Sequence, residues 1–161
     1  DELWSDRGLS KAVNRATSLR NLIKAALLAQ GLIEPDADGK ISQPSIAAID
    51  KTGRVQTIAE LFQRLNEKGF LMFNATPVLY PDKPVAREAV FWSGFLNRLL
   101  AEIKVLKTDP PGLVLWGKIA RQIERMPAAS DYRKICSEHP YNLSFIDNPD
   151  MRQLFRRLKL L

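Results

Sequence analysis

Two uninterrupted apolar runs, Phe70-Leu71-Met72-Phe73 and Leu113-Val114-Leu115-Trp116, constrain the fold most strongly. Successive side chains of a strand point to opposite faces, so four apolar residues in a row suit a strand buried on both sides. The first run is entered from Gly69 and leaves at Asn74, and the second leaves at Gly117. Arg133-Lys134-Ile135-Cys136-Ser137 reads as a third strand, running into Glu138-His139-Pro140. Around these runs the apolar period becomes helical. Ser18 is placed to cap a helix whose buried face is Leu19, Leu22, Ile23, Ala26 and Leu27, with Gly31 as its stop. Thr57 with Glu60 forms a capping box for a second helix, with Ile58, Leu61, Phe62 and Leu65 inward and Gly69 at its end. A long helix is expected over about 86–104 and another over about 118–125. A last helix follows Asn148 as cap, with Pro149 at its first position and Asp150 near the positive end of the dipole. Residues 1–17 offer no capping signal, and residues 33–56 are turn-rich, with one helical turn near 44–50.

This alternation predicts an α/β fold, three layers α/β/α around a central parallel sheet, as a single domain over residues 1–161. In such sheets ligands bind beyond the carboxyl ends of the strands. Those ends carry Asn74, Gly117 and His139.

Composition narrows the function classes. No apolar run approaches the ~20 residues of a membrane span, and the start lacks a signal-peptide layout. The lone Cys136 permits no internal disulfide, and with the lone His139 it cannot build a Cys/His zinc site. A cytoplasmic monomer without membrane contact is therefore expected. With 24 Lys plus Arg against 18 Asp plus Glu, the net charge is +6, which suits a polyanionic partner.

Each strand end has an active and a plain reading. His139 sits before a proline that forbids helix there. Its imidazole could donate to negative charge on a departing group or act as acid or base, or it could simply bond a loop carbonyl. The Asn74 amide could read the edge of a base or could form a turn. Gly117-Lys118 could offer backbone N–H groups and a cation to a phosphate, or could be an ordinary strand-to-helix junction. Leu154, Phe155 and Leu158 form a core-facing stripe, with Arg152, Arg156 and Lys159 around it, as in a solvated amphipathic helix. Trp4, Trp92 and Trp116 are expected in the core.

Taken together, these segments resemble the uracil-DNA glycosylase superfamily. His139-Pro140-Tyr141-Asn142-Leu143-Ser144 is similar to that family's His-Pro-Ser-Pro-Leu-Ser loop. Leu113 to Ala120 is similar to its Leu-Leu-Trp-Gly-x-x-Ala strand and turn, and Phe70 to Asn74 to its Leu-Leu-Leu-Asn strand. Gly8-Leu9-Ser10 and Ser18-Leu19 fall where the family has a Gly-Leu-x-Phe-Ser segment and a Pro-Ser-Leu turn, and residues 10–21 look like a bacterial side branch.

The resemblance implies a repair enzyme that flips uracil or a related damaged base out of single- or double-stranded DNA and hydrolyses the N-glycosidic bond, without metal or organic cofactor. In that reading His139 bonds uracil O2 as charge gathers there, and Asn74 recognises the base. Leu143 wedges into the duplex, while Ser18, Gly117, Lys118 and Ser144 grip phosphates. The alternative is a protein of the same fold that binds DNA or protein without chemistry. Three departures stand out. The family's water-positioning Gln-Asp-Pro-Tyr motif has no counterpart in residues 1–7, so an N-terminal part with that motif and the first central strand is expected to be missing. Lys11 stands where the family stacks a phenylalanine on the base, and Tyr141 and Asn142 replace serine and proline in the wedge loop.

Overall fold

A computed structural model describes all residues, Asp1–Leu161. In chain order its elements are β1 (Trp4–Ser5), β2 (Gly8–Leu9), α1 (Lys11–Arg15), α2 (Thr17–Ala29), α3 (Gln43–Ala47), α4 (Ile58–Glu67), α5 (Val85–Leu106), β3 (Leu113–Trp116), α6 (Gly117–Ala120), β4 (Lys134–Ser137) and α7 (Pro149–Leu158). Short 3-10 turns occupy Arg121–Arg125, Pro127–Ala129 and Leu143–Phe145. No helix is long and apolar enough to cross a membrane. Contacts group the chain into two compact units, one of Asp1–Leu71 with His139–Leu161 and one of Met72–Glu138.

In the first unit, α2 and α7 pack together through their apolar faces. Ile23, Ala26 and Leu27 of α2 and Met151 and Phe155 of α7 are fully buried, and Phe155 meets the edge of Phe145 at 6.2 Å. The helix α7 starts as its sequence dictates: Asn148 accepts the N–H groups of Asp150 and Met151, and Pro149 occupies the first turn. Capping of α4 also follows expectation, since Thr57 Oγ1 accepts the Glu60 N–H and the Glu60 carboxylate accepts the Gln56 N–H. Phe62, expected inward, is 45% exposed, because the buried seam of α4 runs through Leu61 and Leu65.

Two expectations about the N-terminal region fail. Ser10 does cap α1, its hydroxyl accepting the Val13 N–H. Ser18 does not cap α2, which begins at Thr17 after Ala16. Ala16 closes α1 by donating to the Ala12 and Val13 carbonyls and also opens α2, so no position remains for a capping side chain. Asp6 and Arg7 make the turn of the β1–β2 hairpin, and Gly8, which opens β2, sits at φ +118, where any Cβ would run into the side-chain and backbone oxygens of Gln43. Gln43 Oε1 accepts the Leu9 N–H at 2.8 Å, and Trp4 Nε1 donates to the Val55 carbonyl at 2.7 Å. These bonds tie the hairpin to residues 43–58.

In the second unit β3 and β4 pair in parallel, Leu113 with Lys134 through Trp116 with Ser137. A small core forms from Leu100 of α5 with Ala129 and Tyr132, joined by Ile103, Leu113, Ile123 and Met126. The Tyr132 hydroxyl donates to the Leu100 carbonyl at 2.7 Å. Trp92 is half-buried and meets Phe91 and Phe95 edge-on.

The α/β class holds, but the sheets are small: one parallel pair and one antiparallel pair. Phe70-Leu71-Met72-Phe73 is not a strand. It joins neither sheet, and Leu71, Met72 and Phe73 are 78%, 45% and 52% exposed. An apolar run becomes a strand only where a neighbour pairs with its backbone. Here the start of the run is spent on closing α4, with Gly69 at φ +83 and the Phe70 N–H donating to the Leu65 carbonyl.

Candidate active site

Four of the seven residues singled out by sequence lie in the first unit: Ser18, His139, Leu143 and Ser144. Asn74, Gly117 and Lys118 belong to the second.

Pro140, with its fixed φ, suits the second position of a tight turn, and the Asn142 N–H closes that turn on the His139 carbonyl at 2.9 Å. Pro140 is buried while His139 is exposed. The Tyr141 N–H donates to His139 Nδ1 at 3.1 Å. A nitrogen that accepts a hydrogen bond carries no proton, so this bond assigns the neutral ring's proton to Nε2. The ring therefore presents an N–H donor outward.

The chain then makes one 3-10 turn, Leu143–Phe145, which separates two opposite environments. Phe145 is fully buried and roots the turn, whereas Leu143 is 70% exposed and Tyr141 67%. Ser144 is exposed between them in sequence.

The opening turns of α2 face this loop. Ser18 is half-buried at the second helical position, and the first turn has no side-chain cap and no acidic residue, so its dipole end is left for an anion. One turn later, Asn21 is fully buried and donates from Nδ2 to the Pro140 carbonyl at 2.7 Å. Sequence reading passed over Asn21. Its signal was there, a lone amide directly before Leu22 and Ile23 of the buried stripe.

In the second unit, Gly117 takes φ +83 directly after β3, the left-handed backbone that lets the strand turn at once into α6. Lys118 is exposed on that short helix. Asn74 is exposed in irregular chain after Phe73, whose ring stacks on Phe95 at 6.4 Å. Asn74 therefore does not close a strand.

Cys136 of β4 is partly buried, and burial, followed by a hydrogen bond with Glu124, raises its thiol pKa, so it is no ready nucleophile.

No family model matches this sequence, and no curated protein matches it. Among solved structures, the wild-type UNG of Nitratifractor salsuginis superposes with a TM-score of 0.86 at 38% identity over 99% of this chain. The chain is related to the uracil-DNA glycosylase superfamily. A tyrosine-to-glycine mutant of the same Nitratifractor UNG gives the same TM-score and identity. This chain spans 62% and 63% of those two structures' chains. The uracil-DNA glycosylase relationship therefore extends through nearly all of this chain, both the His139 loop and the Trp116–Gly117 turn included.

Proposed function

We propose that this glycosylase relative takes part in removing uracil, or a closely related damaged base, from DNA. The observation that carries the reading is the Tyr141 N–H on His139 Nδ1, which leaves an exposed Nε2–H donor in the loop of a glycosylase relative.

In the reaction the C1′–N1 bond of the flipped nucleotide breaks and its electron pair stays with the base. The base leaves as an anion with charge spread onto O2, water adds its oxygen at C1′ to give the hydroxyl, and the proton the water loses ends on the released base. A neutral imidazole N–H aimed at O2 is worth most at that moment, because the charge it stabilises exists only as the bond breaks. His139 supplies that donor. The Asn74 amide pairs its acceptor with uracil N3–H and its donor with O4. In cytosine both groups are reversed, so each bond would become a clash of like partners, costing roughly 1–3 kcal/mol per unpaired group.

Leu143 enters the gap left by the flipped base, offsetting an unstacking cost of a few kcal/mol. Ser18, Ser144, Gly117 and Lys118 hold flanking phosphates, in keeping with the +6 charge. In this reading β3 and β4 belong to a larger central parallel sheet with helices on both faces.

The test is release of free base from matched oligonucleotides carrying uracil or cytosine, single- and double-stranded, with Asn74→Ala beside the unsubstituted protein. The proposal expects uracil release alone, reduced at least tenfold by Asn74→Ala. Salt-sensitive DNA binding without an abasic product would point instead to a glycosylase-fold protein that binds DNA without chemistry.

A further inference from the structure

Asn21 takes no part in the chemistry above, and its position is an expensive one for an amide. It is fully buried in α2 beside Leu22, Ile23 and Ala25, where a leucine of similar size would bury no polar atom of its own. Its Oδ1 accepts no hydrogen bond. A buried carbonyl oxygen without a donor costs roughly 1–3 kcal/mol.

Turning the amide over would not help, because its nitrogen faces two carbonyls, Pro140 at 2.7 Å and Tyr141 at 3.4 Å. An oxygen there would be repelled by both. The donor side of Asn21 is thus committed to the loop.

What that commitment does follows from peptide geometry. The Pro140 carbonyl and the Tyr141 N–H belong to one planar trans peptide and point in opposite directions. Asn21 holds the carbonyl end, which aims the N–H end at His139 Nδ1, 3.1 Å away. Donation to the carbonyl also polarises the peptide and strengthens its N–H as a donor. We infer that Asn21 is a positioning residue that fixes the tautomer of His139 through the Pro140–Tyr141 peptide plane. The kinetic consequence rests on the proposed glycosylase reading, but the tautomer itself does not.

His139 is the only histidine, so imidazole nitrogen spectra of the protein contain one ring and need no assignment. The experiment records them at alkaline pH for the unsubstituted protein, Asn21→Leu and Asn21→Ala. The expected result is a single Nε2–H tautomer in the unsubstituted protein and a mixture in both variants, with circular dichroism unchanged. If Asn21→Leu does not fold, Asn21→Ala gives the same reading.

In parallel, kcat for uracil release falls about tenfold, or about 1.4 kcal/mol of barrier, while KM for the oligonucleotide stays within about twofold. A folded variant that keeps the single tautomer overturns the inference. Absence of uracil release by the unsubstituted protein removes the glycosylase reading and leaves the tautomer measurement to judge Asn21 alone.

Discussion

The 3-10 turn Leu143–Phe145 makes a sharp prediction, because two residues two positions apart should respond very differently to the same truncation. Phe145 is fully buried and packs edge-on against Phe155 at 6.2 Å. Removing such a ring costs about 3–5 kcal/mol, counting lost transfer energy, the cavity and the aromatic pair. Leu143 is 70% exposed. Full burial of a leucine is worth about 1.5–3 kcal/mol, and at most roughly a third of that is realised here, so Leu143→Ala should cost under ~1 kcal/mol. With a urea slope near ~2 kcal/mol/M, the midpoint should fall by roughly 1.5–2.5 M for Phe145→Ala and by under ~0.5 M for Leu143→Ala. Equilibrium urea unfolding followed by circular dichroism reads both numbers. In the base-release assay Leu143→Ala should lose more activity on duplex than on single-stranded DNA, because only the duplex leaves a gap to fill. A Leu143→Ala midpoint shift as large as that of Phe145→Ala would show that Leu143 is a packing residue, and the wedge argument would fail.

Three further outcomes follow from individual contacts. Asn148→Ala removes the acceptor for the Asp150 and Met151 N–H groups and should destabilise the protein by about 1 kcal/mol in the same urea assay. The hydrogen bond from Lys104, then that from Ser130, holds the Asp131 carboxyl below the usual carboxylate range. A depressed folded pKa stabilises above the unfolded value of ~3.9 and fades as pH falls through the folded one, so the stability gap between the unsubstituted protein and Asp131→Asn should close below about pH 4. Lys118→Ala should make the slope of log affinity against log salt shallower by about 1 in DNA titrations, and an unchanged slope would remove Lys118 from the phosphate contacts.

Much of this fold can be read from local chemistry. Thr57 with Glu60, and Asn148 with Pro149, start α4 and α7 as their residue types require, since a cap needs only its own turn. The strands β3 and β4 were legible because each finds its partner in the other. Phe70 to Phe73 misled for the complementary reason, as hydrophobicity cannot report whether a pairing edge is available. Ser18 misled because a helix start depends on what precedes it, and only Ala16 lies between the end of α1 and the start of α2.

At the candidate site, the His139 loop announced itself through its proline. The tautomer did not, because it depends on a backbone N–H two residues away and on Asn21, 119 positions from Pro140 in sequence. Only folding brings such groups together.

Single-turnover release of uracil by His139→Ala tests the central claim most directly. If the Nε2–H stabilises the departing base, the rate should fall by roughly 10²–10³-fold, the usual effect of removing one such donor, while DNA affinity stays nearly unchanged. Uracil released by His139→Ala at the unsubstituted rate would contradict the account.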